Sequence, residues 1–129
     1  MTAQPERHVF VYGTLRRGEA NDINRLQPAP LCLGPARIRG VLYDLGPYPG
    51  MILGGADWVY GEVYAIAAEL ERQLDAIEEV APVPSGEYAR RYLDVELDGR
   101  RLGCLVYEIN AQRVQGRPRI ASGDWLRRH

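Results

Sequence analysis

Two adjacent carboxylates, Glu78 and Glu79, lie at the end of the clearest helical pattern in the chain and are its first candidates for proton transfer. Residues 67–80 are predicted to form an amphipathic helix, because large apolar residues recur at i, i+4 and i+7: Leu70, Leu74 and Ile77. At about 100° per residue, Glu78 borders this apolar stripe and Glu79 points away from it. A carboxyl group half withdrawn from water has a raised pKa, so it can accept and return a proton near neutrality. Glu78 is thus the candidate general acid/base; the alternative is a solvated glutamate whose methylenes cover the core.

A second candidate is a loop that could bind an anion. Residues 8–12, with the sequence HVFVY, predict a buried strand, and this run ends abruptly at Gly13. Because glycine has no Cβ, the backbone at Gly13 could turn sharply and bring its N–H groups against a carboxylate or phosphate, and Thr14 would add a hydroxyl donor. The alternative is that the Tyr-Gly-Thr-Leu sequence simply closes the strand with a turn.

Few residues support other catalytic chemistries. The chain has two serines, Ser85 and Ser122, and two histidines near its ends, in no arrangement that indicates a triad. Cys32 and Cys104 lack the CxxC spacing of a zinc or redox site and are expected to be reduced core thiols. We therefore expect no metal, no cofactor and no serine or cysteine nucleophile, which leaves a carboxylate as the reactive group.

Five strands and one helix are expected to position these groups. The apolar patterns predict strands over residues 8–12, 37–45, 58–66, 87–97 and 101–109, with the helix between the third and the fourth. The Asp98-Gly99 pair predicts a type I′ turn that joins the last two strands as an antiparallel hairpin. Such an arrangement favours an α+β fold with a closed or nearly closed barrel over a doubly wound sheet.

The segments between these elements contain glycine and proline residues that interrupt helices and strands. Residues 19–26 are expected to form one or two helical turns, and residues 48–57 a loop tied onto the body. Three prolines are expected to exclude regular structure before Ala36: Pro28, Pro30 and Pro35.

Glu62 interrupts the nearly continuous apolar character of the strand predicted over residues 58–66. A carboxylate in a central strand must find a partner. Arg90 and Arg91 are candidates to pair with Glu62 or Asp94.

Composition limits the classes of function. The 129 residues are expected to form one domain over residues 1–129, with 46% hydrophobic and 26% charged residues, which is typical of a globular chain. Sixteen basic residues against 17 acidic ones create no global field that would attract nucleic acid or an anionic membrane. The start of the chain resembles no signal peptide, and no run is long enough to span a membrane. We expect a cytoplasmic protein, monomer or homodimer, that acts on a small molecule.

Short motifs along nearly the whole chain resemble those of the γ-glutamylcyclotransferase-like superfamily. They occur in that family's order and include Tyr12-Gly13-Thr14-Leu15, Tyr48-Pro49-Gly50, Gly61-Glu62-Val63-Tyr64, Leu74-Asp75-Ala76-Ile77-Glu78 and Tyr88-Ala89-Arg90. Two features depart from the family pattern: Ile77 stands where an aromatic residue is common, and residues 19–24 match no family motif.

The resemblance implies a small mixed β-barrel with flanking helices. It also implies conversion of a γ-glutamyl amine or peptide into 5-oxoproline and the free amine, without a cofactor. Glu78 matches the catalytic glutamate of the family, residues 12–15 match the loop that binds the glutamyl group, and Tyr88 would help to shape the pocket.

Two rival functions remain open at this level. One is a small-ligand binding module that keeps the barrel and the carboxylate-binding loop without catalysis. The other is an interaction protein whose contact surface would be an exposed Trp125 and the basic tail after it. A negative charge at Glu78 beside a bound carboxylate favours an enzyme over a pure carboxylate binder.

Overall fold

The fold is α+β, as predicted. The computed structural model describes residues 7–77 and 88–128, and in these ranges one α-helix, α1 (Ala68–Ile77), lies between the third and the fourth of five strands. The strands are β1 (Arg7–Val11), β2 (Leu31–Asp44), β3 (Pro49–Ile66), β4 (Tyr88–Leu97) and β5 (Arg100–Ile109). Three short 3-10 turns cover Ile23–Arg25, Ala111–Val114 and Trp125–Arg127. The described part contains no helix long and apolar enough to cross a membrane.

The strands form one mixed sheet in the order β2-β3-β1-β5-β4. β1 pairs antiparallel with β3 and parallel with β5, and the remaining pairs are antiparallel. The sheet curls until the two edge strands approach each other: a Cβ on Gly34 of β2 would lie 3.5 Å from Leu97 Cδ1 of β4. Within the described ranges no ladder of hydrogen bonds joins these edges, so the predicted closure into a barrel is not shown.

The two faces of β1 belong to two parts of the core. Val9 and Val11 pack on the side of α1, together with Leu70 and Leu74 from the apolar stripe of the helix. Phe10 points to the other side, into the concave face of the sheet. A strand that is buried on both faces needs apolar residues at successive positions, which explains the continuous run at residues 9–11.

The prediction that prolines delay regular structure until Ala36 is wrong. β2 begins at Leu31 and runs through Pro35, which stands opposite Glu62 of β3. Because β2 is an edge strand, only one of its sides must donate to a ladder, and a proline is tolerated there. A register shift between Cys32 and Gly34 marks the same irregular part of the strand.

The prediction of a loop over residues 48–57 is also wrong. This segment is the first half of β3, where Met51 stands opposite Leu42 and is fully buried. Two of the glycines that indicated a loop, Gly54 and Gly55, lie where the register with β2 shifts and have positive φ values of 94° and 95°, whereas Gly50 pairs regularly with Tyr43. Glycines inside a strand can therefore mark a shift in its pairing register rather than the end of the strand.

The hairpin between β4 and β5 has the predicted turn. Asp98 and Gly99 both have positive φ, at 50° and 75°, as a type I′ turn requires. The rival function of an interaction protein would need an exposed Trp125, but Trp125 is only 2% exposed and its indole N–H donates to Glu19 Oε1 at 2.9 Å. The interpretation of Trp125 as an exposed docking residue is therefore wrong.

Ion pairs fasten α1 to the sheet. Arg7 of β1 donates two hydrogen bonds to the Glu71 carboxylate, at 2.7 and 3.0 Å, and Arg90 of β4 also contacts Glu71. Arg90 further pairs with Asp75, with 2.7 Å between its Nη1 and Oδ2. The predicted partners of the two arginines are thus wrong: Arg90 pairs with Glu71 and Asp75, and Arg91 pairs with Glu108.

These contacts predict how stability depends on pH. Burial alone raises the pKa of Glu71, but hydrogen bonds from Arg7 and Arg90 outweigh it and hold that pKa below its ordinary value. Since the folded-state pKa is depressed, this stabilisation is present above the unfolded-state pKa of about 4.3 and is lost as pH falls through the folded-state pKa. Glu71→Gln is expected to lower the free energy of unfolding at pH 7 by roughly 2 kcal/mol and to flatten its decline in acid.

Urea denaturation at a series of pH values from 3 to 7 measures both effects. Glu69→Gln is the matched control, because Glu69 lies exposed in the first turn of the same helix. A variant at Glu71 that keeps the wild-type slope in acid would contradict the assignment of this ion pair as a major source of the pH dependence.

Candidate active site at the end of strand β1

A cavity of about 440 Å³ opens where β1 ends. Its walls come from the end of β1 and the loop after it, from the turn between β2 and β3 with the first residue of β3, from the last described residue of α1, from the first residue of β4, and from Tyr107 of β5. The structure brings together in this wall all of the residues predicted to bind substrate: Tyr12, Gly13, Thr14, Leu15 and Tyr88. Residues far apart in sequence thus meet at the position that the motif analysis singled out.

The loop after β1 presents backbone N–H groups. The carbonyl oxygens of Gly13, Thr14 and Leu15 accept hydrogen bonds from later residues of the same loop. The donors are the backbone N–H groups of Arg16 at 3.0 Å, Asn21 at 2.8 Å and Ile23 at 2.9 Å. Within the described part of the chain, the N–H groups of Gly13, Thr14 and Leu15 donate no hydrogen bond of their own. A row of such N–H groups is an arrangement that binds anions.

Gly13 is required by packing rather than by an unusual turn. Its φ is not positive, so the expected need for backbone freedom is not what excludes a side chain. A Cβ at Gly13 would lie 2.5 Å from Pro49 Cγ and 2.8 Å from Pro49 Cδ, distances that real Cβ atoms do not adopt. The absence of a side chain at Gly13 therefore lets the loop approach the first residue of β3 on one wall of the cavity.

Two tyrosines of the cavity wall bind backbone across it. The Tyr12 hydroxyl donates to the Tyr107 carbonyl oxygen at 2.7 Å, and the Tyr88 hydroxyl donates to the Pro49 carbonyl oxygen at 2.8 Å. Each tyrosine joins strands that are distant in sequence, so both residues hold the shape of the wall.

A buried charge network fastens the loop to the sheet. Arg16, which is 8% exposed, donates to Glu62 Oε2 at 2.8 Å and to Asp124 Oδ1 at 2.7 Å. The expectation that Glu62 needs a partner is confirmed, and the partner is Arg16. The Tyr64 hydroxyl donates to Glu62 Oε1 at 2.9 Å, and burial, together with this carboxylate, raises the pKa of Tyr64 above its ordinary value.

Glu78 and Glu79 lie outside the described residues. The residue before them, Ile77, is the last described residue of α1 and lines the cavity. Two residues earlier, Asp75 accepts a hydrogen bond from the Tyr107 hydroxyl at 2.7 Å, and Tyr107 is itself part of the cavity wall. The end of the helix is therefore tied to the wall of the candidate site through Asp75.

Sequence reasoning missed several contributors to this site, among them Pro49, Asp75 and Tyr107. Pro49 and Asp75 stand within quoted motifs, Tyr48-Pro49-Gly50 and Leu74-Asp75-Ala76-Ile77-Glu78, and that was the available signal. Tyr107 also belongs to a short family motif, Val106-Tyr107, but other strand tyrosines, such as Tyr64, belong to such motifs too, so the motif did not single it out. Among the described residues, no cluster of three or more histidine, cysteine, aspartate or glutamate side chains could hold a metal ion.

Comparison with known proteins defines the class. Residues 9–127 match the family described as gamma-glutamyl cyclotransferase, AIG2-like. A Vibrio cholerae protein with the provisional name of a gamma-glutamylcyclotransferase is 37% identical over 120 residues, which cover 93% of this chain and 96% of that protein. The gamma-glutamylaminecyclotransferase of Bos taurus is 36% identical over 113 residues, which cover 77% of this chain and 63% of that protein.

A solved structure agrees with these matches. The crystal structure of an aig2-like protein from Mus musculus superposes with a TM-score of 0.74 and 27% identity, over 89% of this chain and 86% of that one. The chain therefore belongs to the AIG2-like gamma-glutamyl cyclotransferase family and is a γ-glutamylcyclotransferase-like enzyme.

The contact between Gly13 and Pro49 yields a second prediction. Gly13→Ala forces the loop and the turn apart, so the affinity for 5-oxoproline is expected to fall by roughly 10-fold or more, because overpacking costs about 1–3 kcal/mol. Titration calorimetry with 5-oxoproline measures the effect. Gly103→Ala is the control, since a Cβ there meets nothing within 4 Å. In the Gly13→Ala variant, the further change Pro49→Ala removes the proline ring and should restore part of the lost affinity. Equal affinity of Gly13→Ala and wild type would contradict the close packing of Gly13 against Pro49.

Proposed function

We propose that this protein converts a γ-glutamyl amine or γ-glutamyl peptide into 5-oxoproline and releases the free amine, with Glu78 as the general acid and base. The observation that supports this function is the composition of one cavity wall. Gly13, Thr14 and Leu15, whose N–H groups have no partner in the described ranges, line the cavity together with Ile77, the residue before Glu78 in the sequence. Glu78 is thus the next residue in the sequence after a residue of the cavity wall.

The reaction needs no outside reactant. The α-amine nitrogen of the γ-glutamyl group attacks its own γ-carbonyl carbon, a C–N bond closes the five-membered ring, and the C–N bond to the leaving amine breaks. Starting from the α-ammonium, the attacking nitrogen gives up two protons: the first reaches the leaving nitrogen when its C–N bond breaks, and the second passes to the freed amine, which departs as an ammonium ion while the lactam keeps one N–H. Holding the two reacting groups of one molecule together supplies much of the rate acceleration.

Glu78 carries the proton in this scheme. It removes a proton from the α-ammonium so that the nitrogen can attack, and it returns a proton to the leaving amine. The same residue serves as base and then as acid, so one carboxylate is sufficient.

The loop binds the glutamyl group. The N–H groups of Gly13, Thr14 and Leu15 meet the α-carboxylate, and Tyr12 and Tyr88 shape the pocket around the rest of the group. What supports these roles is that all of these residues line the same cavity and that the N–H groups have no partner within the described ranges. A non-catalytic carboxylate-binding module would use the same loop, and turnover separates the two functions.

Several expectations from the sequence are kept as proposals. The partner is a small molecule and not a nucleic acid, the protein works in the cytoplasm as a monomer or homodimer, and the reaction uses neither metal nor cofactor. The near balance of charge, with a formal net charge of −1, supports the proposal that the partner is a small molecule and not a nucleic acid.

The two adjacent glutamates provide the principal test. Glu78→Gln keeps the size of the side chain but cannot accept the ammonium proton, so turnover is expected to fall by roughly 10²–10⁴-fold, while 5-oxoproline still binds. The acidic limb of the pH profile of kcat/KM should vanish from the residual rate. Glu79→Gln, on the opposite face of the predicted helix, is the matched control and should keep wild-type turnover.

Release of 5-oxoproline is measured with γ-glutamyl compounds of several amines. A dead Glu79→Gln beside an active Glu78→Gln would refute the assignment, and binding without turnover of any compound would establish the binding module instead.

A fourth prediction concerns metals and thiols. A chelator, or the double change Cys32→Ala and Cys104→Ala, should leave most of the turnover intact, because the proposed mechanism uses one carboxylate. Circular dichroism checks that the fold is kept. Loss of turnover on chelation, with the fold preserved and recovery on adding a metal ion, would overturn the single-carboxylate mechanism.

A further inference from the structure

Tyr107 of β5 links two sides of the cavity. Its backbone carbonyl oxygen accepts a hydrogen bond from the Tyr12 hydroxyl, and its own hydroxyl donates to Asp75 Oδ1, each at 2.7 Å. Tyr12 is the first residue of the loop that carries the N–H groups of residues 13–15, and Asp75 lies two residues before the last described residue of α1. The loop and the end of the helix are therefore both fastened to one residue of the sheet.

Tyr107 is itself held firmly in place. It is 2% exposed, and β5 has a neighbouring strand on each side, with β1 parallel and β4 antiparallel to it. In the ladder with β4, Tyr107 stands opposite Arg90, whose Nη1 donates to Asp75 Oδ2 at 2.7 Å. Two neighbouring residues of the sheet thus bind one oxygen each of the same carboxylate, which fixes its orientation.

Apolar packing holds the end of α1 less tightly than its middle. Leu70 and Leu74 are fully buried, whereas Ile77, on the same stripe, is 39% exposed. A helix of 10 residues depends on contacts with the rest of the fold for its stability. Among the described helix residues after Leu74, Asp75 is the one that side-chain hydrogen bonds tie to the sheet. Its two contacts therefore govern where the helix ends relative to the cavity.

We propose that Tyr107 is a positioning residue for the proposed reaction: through Asp75 it fixes the end of α1, and with it Glu78, relative to the loop that binds the glutamyl group. This inference rests on the proposed function, because it concerns the base of that reaction. A general base must come within hydrogen-bond reach of the proton that it removes. A displacement of about 1 Å costs on the order of 10²-fold in rate, so a link that fixes the separation of base and binding loop acts on the chemical step.

Tyr107→Phe tests this role, because it removes one hydroxyl and keeps the ring. The backbone carbonyl still accepts from Tyr12, so the loop keeps its own link. We expect kcat for 5-oxoproline release to fall by roughly 10- to 100-fold, while the affinity for 5-oxoproline, measured by titration calorimetry, stays at the wild-type value. γ-Glutamylalanine and γ-glutamyl-n-butylamide serve as substrates, each at saturating concentration.

The pH profile distinguishes positioning from direct proton transfer. Glu78 remains in Tyr107→Phe, so the acidic limb of kcat/KM should persist at a lower rate, whereas Glu78→Gln should lose it. A Tyr107→Phe profile without that limb would overturn the positioning role, because the hydroxyl would then take part in the proton transfer itself.

Asp75→Ala tests the same link from the helix. Asp75 is half-buried, and circular dichroism checks that the variant is folded. Because both changes break one link, the double variant of Asp75→Ala and Tyr107→Phe should be no slower than Asp75→Ala alone. Losses that multiply would show that the Tyr107 hydroxyl does not act through Asp75 and would overturn the inference.

Two controls separate misplacement from loss of stability. Tyr60→Phe removes the hydroxyl of a β3 tyrosine that is 38% exposed and does not line the cavity, so it should keep the wild-type kcat. Val95→Ala leaves a space in the core beside β4, also outside the cavity lining, and should lower the urea midpoint without a change in kcat. If Val95→Ala loses as much kcat as Tyr107→Phe, the loss follows stability and the positioning role is wrong.

The outcomes separate this inference from the proposed function. A wild-type kcat in Tyr107→Phe, or a loss confined to the affinity for 5-oxoproline, overturns the positioning role and leaves the cyclisation intact. Release of 5-oxoproline by the wild-type protein from none of the γ-glutamyl compounds overturns the cyclisation and this inference together.

Discussion

The buried guanidinium group of Arg16 is the interaction on which the candidate site depends. It joins three segments that are distant in sequence, because Arg16 in the loop after β1 binds Glu62 of β3 and Asp124 of the C-terminal segment. A charge this deeply buried is tolerated only with well-placed partners, so the loop has one low-energy position relative to the sheet. The Arg17 N–H also donates to Glu62, at 3.1 Å, and fixes the backbone next to the cavity. The ordering of the N–H groups of residues 13–15 follows from this anchoring, since an unanchored loop would lose that arrangement to conformational entropy.

A second charge cluster fixes the opposite side of the cavity. Arg90 binds Glu71 and Asp75 on successive turns of α1, and Tyr107 reaches Asp75 from β5. The two clusters have the same design: a charged group links segments behind the wall, and the wall itself is left without charge in the described ranges. Structural charges are thereby kept away from the space where substrate would bind.

The sequence predicts local features of this molecule well and long-range partners poorly. The strand before Gly13, the stripe of Leu70 and Leu74, and the Asp98-Gly99 turn all follow from periodicity or from a local backbone requirement, and all three are observed. The partner of Glu62 was not found from sequence: the candidates were Arg90 and Arg91, whereas Arg16 reaches Glu62 only because the loop after β1 folds back on β3. Proline and glycine misled at β2 and β3, since their effect in a strand depends on whether it is an edge and where its register shifts, which are properties of the sheet.

The uncharged wall also bears on how a single carboxylate could work in the proposed reaction. The ionisation of a carboxyl group responds to burial, to neighbouring charges and to hydrogen bonds. Where the surrounding wall has no fixed charge, the charges that a general base meets are those of the substrate: an α-ammonium that favours the ionised carboxylate, and an α-carboxylate that opposes it. The N–H groups of residues 13–15, by binding the α-carboxylate, would reduce that opposition and leave the ammonium as the dominant influence. After one proton has moved, the ammonium charge is gone and the protonated acid is ready to donate to the leaving amine. On this argument the anion-binding loop contributes to proton transfer as well as to affinity, and the site needs no permanent cation beside its base.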